Sequence, residues 1–174
     1  MARQTAPKSD GEPPDDAARW RDGRVVRAVV DIASPRLCEL WTYWRSLHRA
    51  EMPPGRADID PLAIPQLLPF VMLVDVQGDP PDFRYRLVGT HITQIHRADN
   101  TGRRVADAFA GREGDAVLRF YRRVVAERAT IAHRGRPVRR DGRVLDYEII
   151  HMPLVDGRGS VNMILVGLEF TIRP

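Results

Sequence analysis

Apolar residues recur at helical spacing through "SPRLCELWTYWRSLHRA" (34–50), with Leu37, Leu40, Trp41, Trp44, Leu47 and His48 on one stripe. Ser34 reads as an N-cap and Pro35 as the first helical residue, whose missing N–H is no loss there. The segment "MPPG" stops the helix. The stripe formed by Leu37, Leu40, Trp41, Trp44 and Leu47 is too apolar to face water. It either covers one face of a sheet or pairs with the same helix of a second copy.

Downstream the period changes. "MPPGRADIDPLAIPQLLPF" carries five prolines, and these hold any helix after Asp60-Pro61 to about one turn. "FVMLVDV" (70–76), the turn "QGDPPD" and "FRYRLVG" (83–89) then read as a hairpin. In its second strand Phe83, Tyr85 and Leu87 are expected on one face and Arg84, Arg86 and Val88 on the other. "GTHITQIHRADNTGRRVADAF" follows as one or two short helices, with Gly102 as a turn residue of positive φ. "GREGDAVLRFYRRVVAERAT" is a longer helix with Val117, Leu118, Tyr121, Val124 and Val125 inward and Arg119, Arg122 and Arg123 toward water.

The remainder alternates as strands. "IAHRGRPV" (131–138), "RVLDYEIIHMPLV" (143–155) and "VNMILVGLEF" (161–170) form a meander joined by "RRDG" and "DGRGS". The third of these is apolar on both faces, Met163 and Leu165 against Ile164, Val166 and Leu168, which predicts a strand in the middle of a sheet covered on both sides. The order helix, β, β, short helices, long helix, β, β, β contains no repeat. The reading is a Pro-, Asp- and Arg-rich disordered tail over 1–22, an arm ("RVVRAVVDI", 24–32) and amphipathic helix within 23–60, and one α+β domain over 61–174.

Composition narrows the function. The 174 residues are 43% hydrophobic and 29% charged, as in a soluble globular chain. No apolar run is long enough to cross a bilayer and no signal-peptide core opens the chain, which points to the cytoplasm. The single cysteine, Cys38, excludes an internal disulfide and a thiolate metal cluster. The net charge of +4 comes from 26 Arg and one Lys spread among 23 acids, the skew a GC-rich coding sequence produces. It makes no patch that calls for nucleic acid.

Motifs for chemistry are sparse. His91 and His96 lie five apart, about 140° around a helix, so they share no face for a metal. His133 and His151 sit on neighbouring strands, and a turn at 139–142 puts them several residues out of line. "NTGRR" lacks the glycines and lysine of a phosphate loop. The four serines form no Gly-x-Ser-x-Gly motif, and no acid–base pair is forced together by spacing. No catalytic residue and no metal site are assigned.

The element order resembles the PAS fold, a five-stranded antiparallel sheet with the helices between strands two and three closing over one face. More narrowly, "LWTYWRSL", "MPPGRADIDPLAIPQLLPFVMLVDV", "FRYRLVGTHI", "DNTGRRVADAF" and "MPL" are similar to a family of stand-alone PAS-like proteins found mainly in alphaproteobacteria. The resemblance spans roughly 37–170. One departure falls at Arg97, where that family usually ends the helix with glycine.

What the resemblance implies is a sensory or protein-interaction module without catalysis. Its signalling partner would be another protein, and it would form a homodimer through the N-terminal helix. A cavity would lie between the sheet and the short helices, with Tyr85, Arg86, His91, Ile95, Phe109, Tyr121, Tyr147, His151 and Met163 as candidate lining. Arg86 with His91 would suit a carboxylate or phosphate there. Haem in such domains wants a histidine on the long helix, and residues 112–129 hold none; a photoactive flavin wants a cysteine after strand two, and Cys38 lies far upstream. No defined cofactor is therefore expected, only an unidentified small molecule. Two rivals remain: a cone-shaped α+β enzyme or carrier, whose long helices usually come first, and a basic nucleic-acid-binding module.

Overall fold

The computed structural model of the chain describes residues 32–108, 112–135 and 145–172. The readings of a tail over 1–22, of the arm up to residue 31 and of the 139–142 turn lie outside them.

Helix α1, Pro35–Ser46, begins as its sequence dictates: Ser34 has extended backbone and its hydroxyl accepts from the Leu37 N–H at 3.2 Å. Three short 3-10 turns follow, Arg56–Asp58, Pro61–Ala63 and Leu68–Phe70, the last two with a proline in their first two positions. Strands β1 (Val71–Gln77) and β2 (Asp82–Val88) form the hairpin. Helices α2 (Thr90–His96), α3 (Val105–Ala108) and α4 (Arg112–Glu127) come next, and β3 (Ile131–Gly135), β4 (Leu145–Val155) and β5 (Val161–Ile172) complete the chain order.

The five strands make one antiparallel sheet in the order β2-β1-β5-β4-β3. The doubly apolar β5 lies at its centre, as its pattern requires. Two cores result. On one face Leu73, Met163, Leu165, Ile150, Met152 and Leu154 pack against Leu37, Leu40 and Trp44 of α1. On the other, Met72, Val74, Ile164, Val166 and Leu168 pack against Ile92, Val105, Tyr121 and Val124 of α2, α3 and α4.

Helix α1 reaches the sheet closely because β5 offers Gly167. A Cβ there would stand 2.6 Å from the Leu40 side chain and 2.8 Å from that of Leu37. The start of α1 is clamped by two glutamates paired across β4 and β5. Glu148 accepts from the Ala33 and Ser34 N–H groups at 3.0 and 2.7 Å, and Glu169 accepts from the Ser34 hydroxyl and the Arg36 guanidinium. The Glu148 carboxylate thus bonds the backbone just before the first helical turn, where negative charge complements the helix dipole.

The register of the first hairpin corrects the alternation expected of β2. Leu73 opposes Leu87, yet Val74 opposes Tyr85, so Arg86 is the extra residue of a bulge. Beyond it the faces exchange. Leu87 stands opposite Leu73 on the α1 side, away from Phe83 and Tyr85, and Val88 turns to the other core.

Helix α2 ends at Arg97, whose φ of 55° and ψ of 27° are left-handed. Side chains with a Cβ pay about 1–2 kcal/mol for that conformation, which glycine adopts freely. Arg97→Gly is therefore expected to raise stability by about 0.5–1 kcal/mol after the entropy of the freer unfolded chain is subtracted. A higher urea midpoint at unchanged slope checks it; a lower midpoint would count against the strain.

Candidate functional site

The helix-covered face concentrates the polar chemistry of the interior. His151 on β4 is 1% exposed and its Nδ1 lies 3.1 Å from the Ile131 carbonyl oxygen. His133 on β3 opposes Ile149, two positions along from the Ile131–His151 pair, so the two histidines share a face. Their rings stack at 5.3 Å with an interplanar angle of 7°. The two are out of line, as the sequence suggests, but by only two positions, which makes them diagonal neighbours within reach across antiparallel strands.

Phe120 of α4 stacks on His133 at 3.8 Å and 7°, and Tyr121 meets His151 edge-on at 5.4 Å. The Tyr121 ring also contacts Phe83 at 5.3 Å. Tyr85 and Tyr121 share a hydrogen bond between their hydroxyls; burial pushes the Tyr85 phenol up to about 12, and Tyr121 is raised well above its ordinary value by burial first and by Tyr85 second.

Burial acts on the histidines in the opposite direction. It pulls His133 down to about 2, helped by the neighbouring His151. It pulls His151 down to about 4 against the opposing hydrogen bond to Ile131. Both are neutral at physiological pH. Among the described residues His133 Nδ1 is buried without a hydrogen-bond partner, an unmatched polar atom inside an aromatic stack.

Of the candidate cavity residues, the structure brings Tyr85, Tyr121 and His151 together, with Tyr147 beside them, 5.8 Å ring to ring from His133. Ile95 is half-buried on α2. His91 lies apart, its ring 4.6 Å from Phe70.

Arg86 and Met163 are misassigned. Met163 faces the α1 core because β5 alternates, and the bulged Arg86 is exposed and pairs with Asp75 at 2.7 Å. The anion site imagined for Arg86 with His91 is thereby dissolved. Phe109 lies outside the described residues. Phe120 and the packing role of His133 escaped the sequence reading; the signal for His133 was its shared parity with Ile131 in β3, since both lie on the helix-covered face.

The dimer stripe is corrected as well. Leu37, Leu40 and Trp44 are each 1% exposed, closed against the chain's own sheet, and the Trp44 indole donates to the Pro153 carbonyl at 3.1 Å. Trp41 and Leu47 are half-buried. A second copy cannot reach the first three without lifting the helix.

The thiol that a photoactive flavin site needs does not lie on this face. The one thiol, Cys38, is on α1 across the sheet, where its Sγ contacts the Ile32 carbonyl at 3.5 Å. The histidines of the helix-covered face present stacked rings, and His151 Nδ1 is already engaged by Ile131. Among the described residues no group of three or more His, Cys, Asp or Glu is arranged to hold a metal ion. Nor is any described helix long and apolar enough to cross a membrane.

A family model described as "PAS domain" matches residues 32–168. No curated protein matches the chain. Among solved structures it is similar to the blue-light photoreceptor Aureochrome1 LOV in its light state, at 12% identity over 63% of this chain and 86% of that one, with a TM-score of 0.45. A variant of the fungal photoreceptor VVD matches at 10% identity over 79% and 97%, with a TM-score of 0.46. An RNA-binding Light-Oxygen-Voltage receptor matches at 15% identity over 83% and 47%, with a TM-score of 0.43.

Proposed function

Because the chain belongs to the PAS-domain family, we propose that it is a cytoplasmic sensory or regulatory module. Its input is a small molecule received on the helix-covered face, its output is contact with a partner protein, and it catalyses no reaction. The observation that carries this reading is the His133 Nδ1 atom. A buried polar atom left without a partner costs about 1–3 kcal/mol, and a ligand able to hydrogen-bond it recovers that cost. The flat rings of Phe120, His133 and His151 around it suit a planar, weakly polar molecule. A homodimer is part of this proposal, with an interface other than the buried stripe of α1.

Replacing His133 by Phe separates the two roles of the ring. The stack with Phe120 is retained while the orphan nitrogen is removed, so H133F is expected to raise stability by about 1 kcal/mol. Native mass spectrometry of the wild type is expected to show a non-covalently bound small molecule that H133F lacks. A wild type free of any adduct, or an adduct retained by H133F, would overturn the input site.

A further inference from the structure

A cavity lies on the opposite face of the sheet, lined by residues of the segment after α1 and of β1, β2 and β5. Helix α1 covers β4 and β5, and the proline-rich segment after it covers β1 incompletely. The gap is a groove of about 370 Å³ whose walls include Ile59, Ile64, Leu68, Leu73, Leu87 and Leu165. That volume is at the small end of the range for small-molecule sites, about 300–1,000 Å³. Its mouth is apolar too: Leu87 is 42% exposed, and Leu62, next to the lining Pro61, is 86% exposed.

One charge borders it. Arg56 lines the groove from an exposed position, and its Nη1 donates to the Ile59 carbonyl at 3.1 Å, its one hydrogen bond among the described residues. The neighbouring acids are already engaged. Asp58 accepts from the Gly55 N–H at 2.8 Å and from Arg49 at 2.9 Å, and Asp60 accepts from the Leu62 N–H at 2.9 Å. No acid pairs with Arg56 among the described residues.

We propose that this groove binds a single-chain amphipathic carboxylate, its tail on β1 and β5 and its head on Arg56. The tail matches the apolar lining, and the unmatched guanidinium selects an anion. A peptide fits less well. Pro61, Pro65 and Pro69 line the wall without N–H donors, and edge strand β2, which borders the groove, already exchanges backbone hydrogen bonds with Gly102 and Arg103 through Tyr85.

The test uses the whole chain and sodium decanoate below its micellar concentration, with decanol as the uncharged probe. Decanoate is expected to shift the amide resonances of Leu73, Leu87 and Gly89 saturably. R56Q should weaken it about tenfold or more, to the level at which decanol binds the wild type. L87W, which fills the mouth from an exposed position, should abolish both. Equal affinity for wild type and R56Q, shifts confined to the α4 side at Tyr121 and His151, or no saturable binding would each overturn the site. Because the readouts lie on opposite faces of the sheet, failure here is distinct from failure of the His133 site.

Discussion

Truncating Trp44 to alanine is expected to remove about 3–5 kcal/mol of unfolding free energy. The indole is fully buried between α1 and the sheet, and its loss also leaves the Pro153 carbonyl without its donor. In a domain of this size the melting temperature should fall by roughly 10–15 °C. Trp41→Ala, on the half-exposed flank of the same helix, should cost much less. Thermal melts followed by circular dichroism check both. The pair also discriminates between core and interface: a dimer stripe would answer Trp44→Ala with a lower mass and a monomer of unchanged stability.

Acid should unfold the protein over a window set by its two interior histidines. Both have folded pKa values depressed below the unfolded value of about 6.5, to about 4 for His151 and about 2 for His133. The unfolded chain therefore binds more protons than the folded one below that value. Stability is full above pH ~6.5 and falls as pH drops toward the folded values. His151 contributes a slope of about 1.4 kcal/mol per pH unit between 6.5 and about 4, and His133 at most as much again. Between pH 6.5 and 5 the loss should be on the order of 2–4 kcal/mol. Urea titrations at stepped pH measure it, with H133F showing a shallower slope. A wild-type profile flat across this window would mean that both histidines are hydrated.

The sheet was legible because its signals are local and redundant. β5 announces its central place by having no polar face, and Ser34-Pro35 starts α1 in the sequence as in the structure. The site was less legible because it depends on parity. A single bulge at Arg86 reverses which face Leu87 and Val88 occupy, and nothing in "FRYRLVG" marks it. His133 and His151 meet because the β3–β4 register leaves them two positions apart on one face, a register carried by backbone bonds and by no motif. The stripe of α1 was identified as apolar, but periodicity does not say whether the same chain or another covers it; Gly167 decides that, through a contact 127 positions from Leu40.

The central position of β5 has a consequence for synthesis. It is the latest of the five strands in chain order, yet β1 and β4 both pair with it and α1 rests on it. Until it emerges, the β1–β2 hairpin and the β3–β4 hairpin have no common partner and the tryptophan face of α1 has no seat. Folding must then wait on a long-range closure, with apolar strand edges exposed to the crowded surroundings of the ribosome in the meantime. The strand that gives the finished domain its two cores is thus also the one whose arrival closes the sheet.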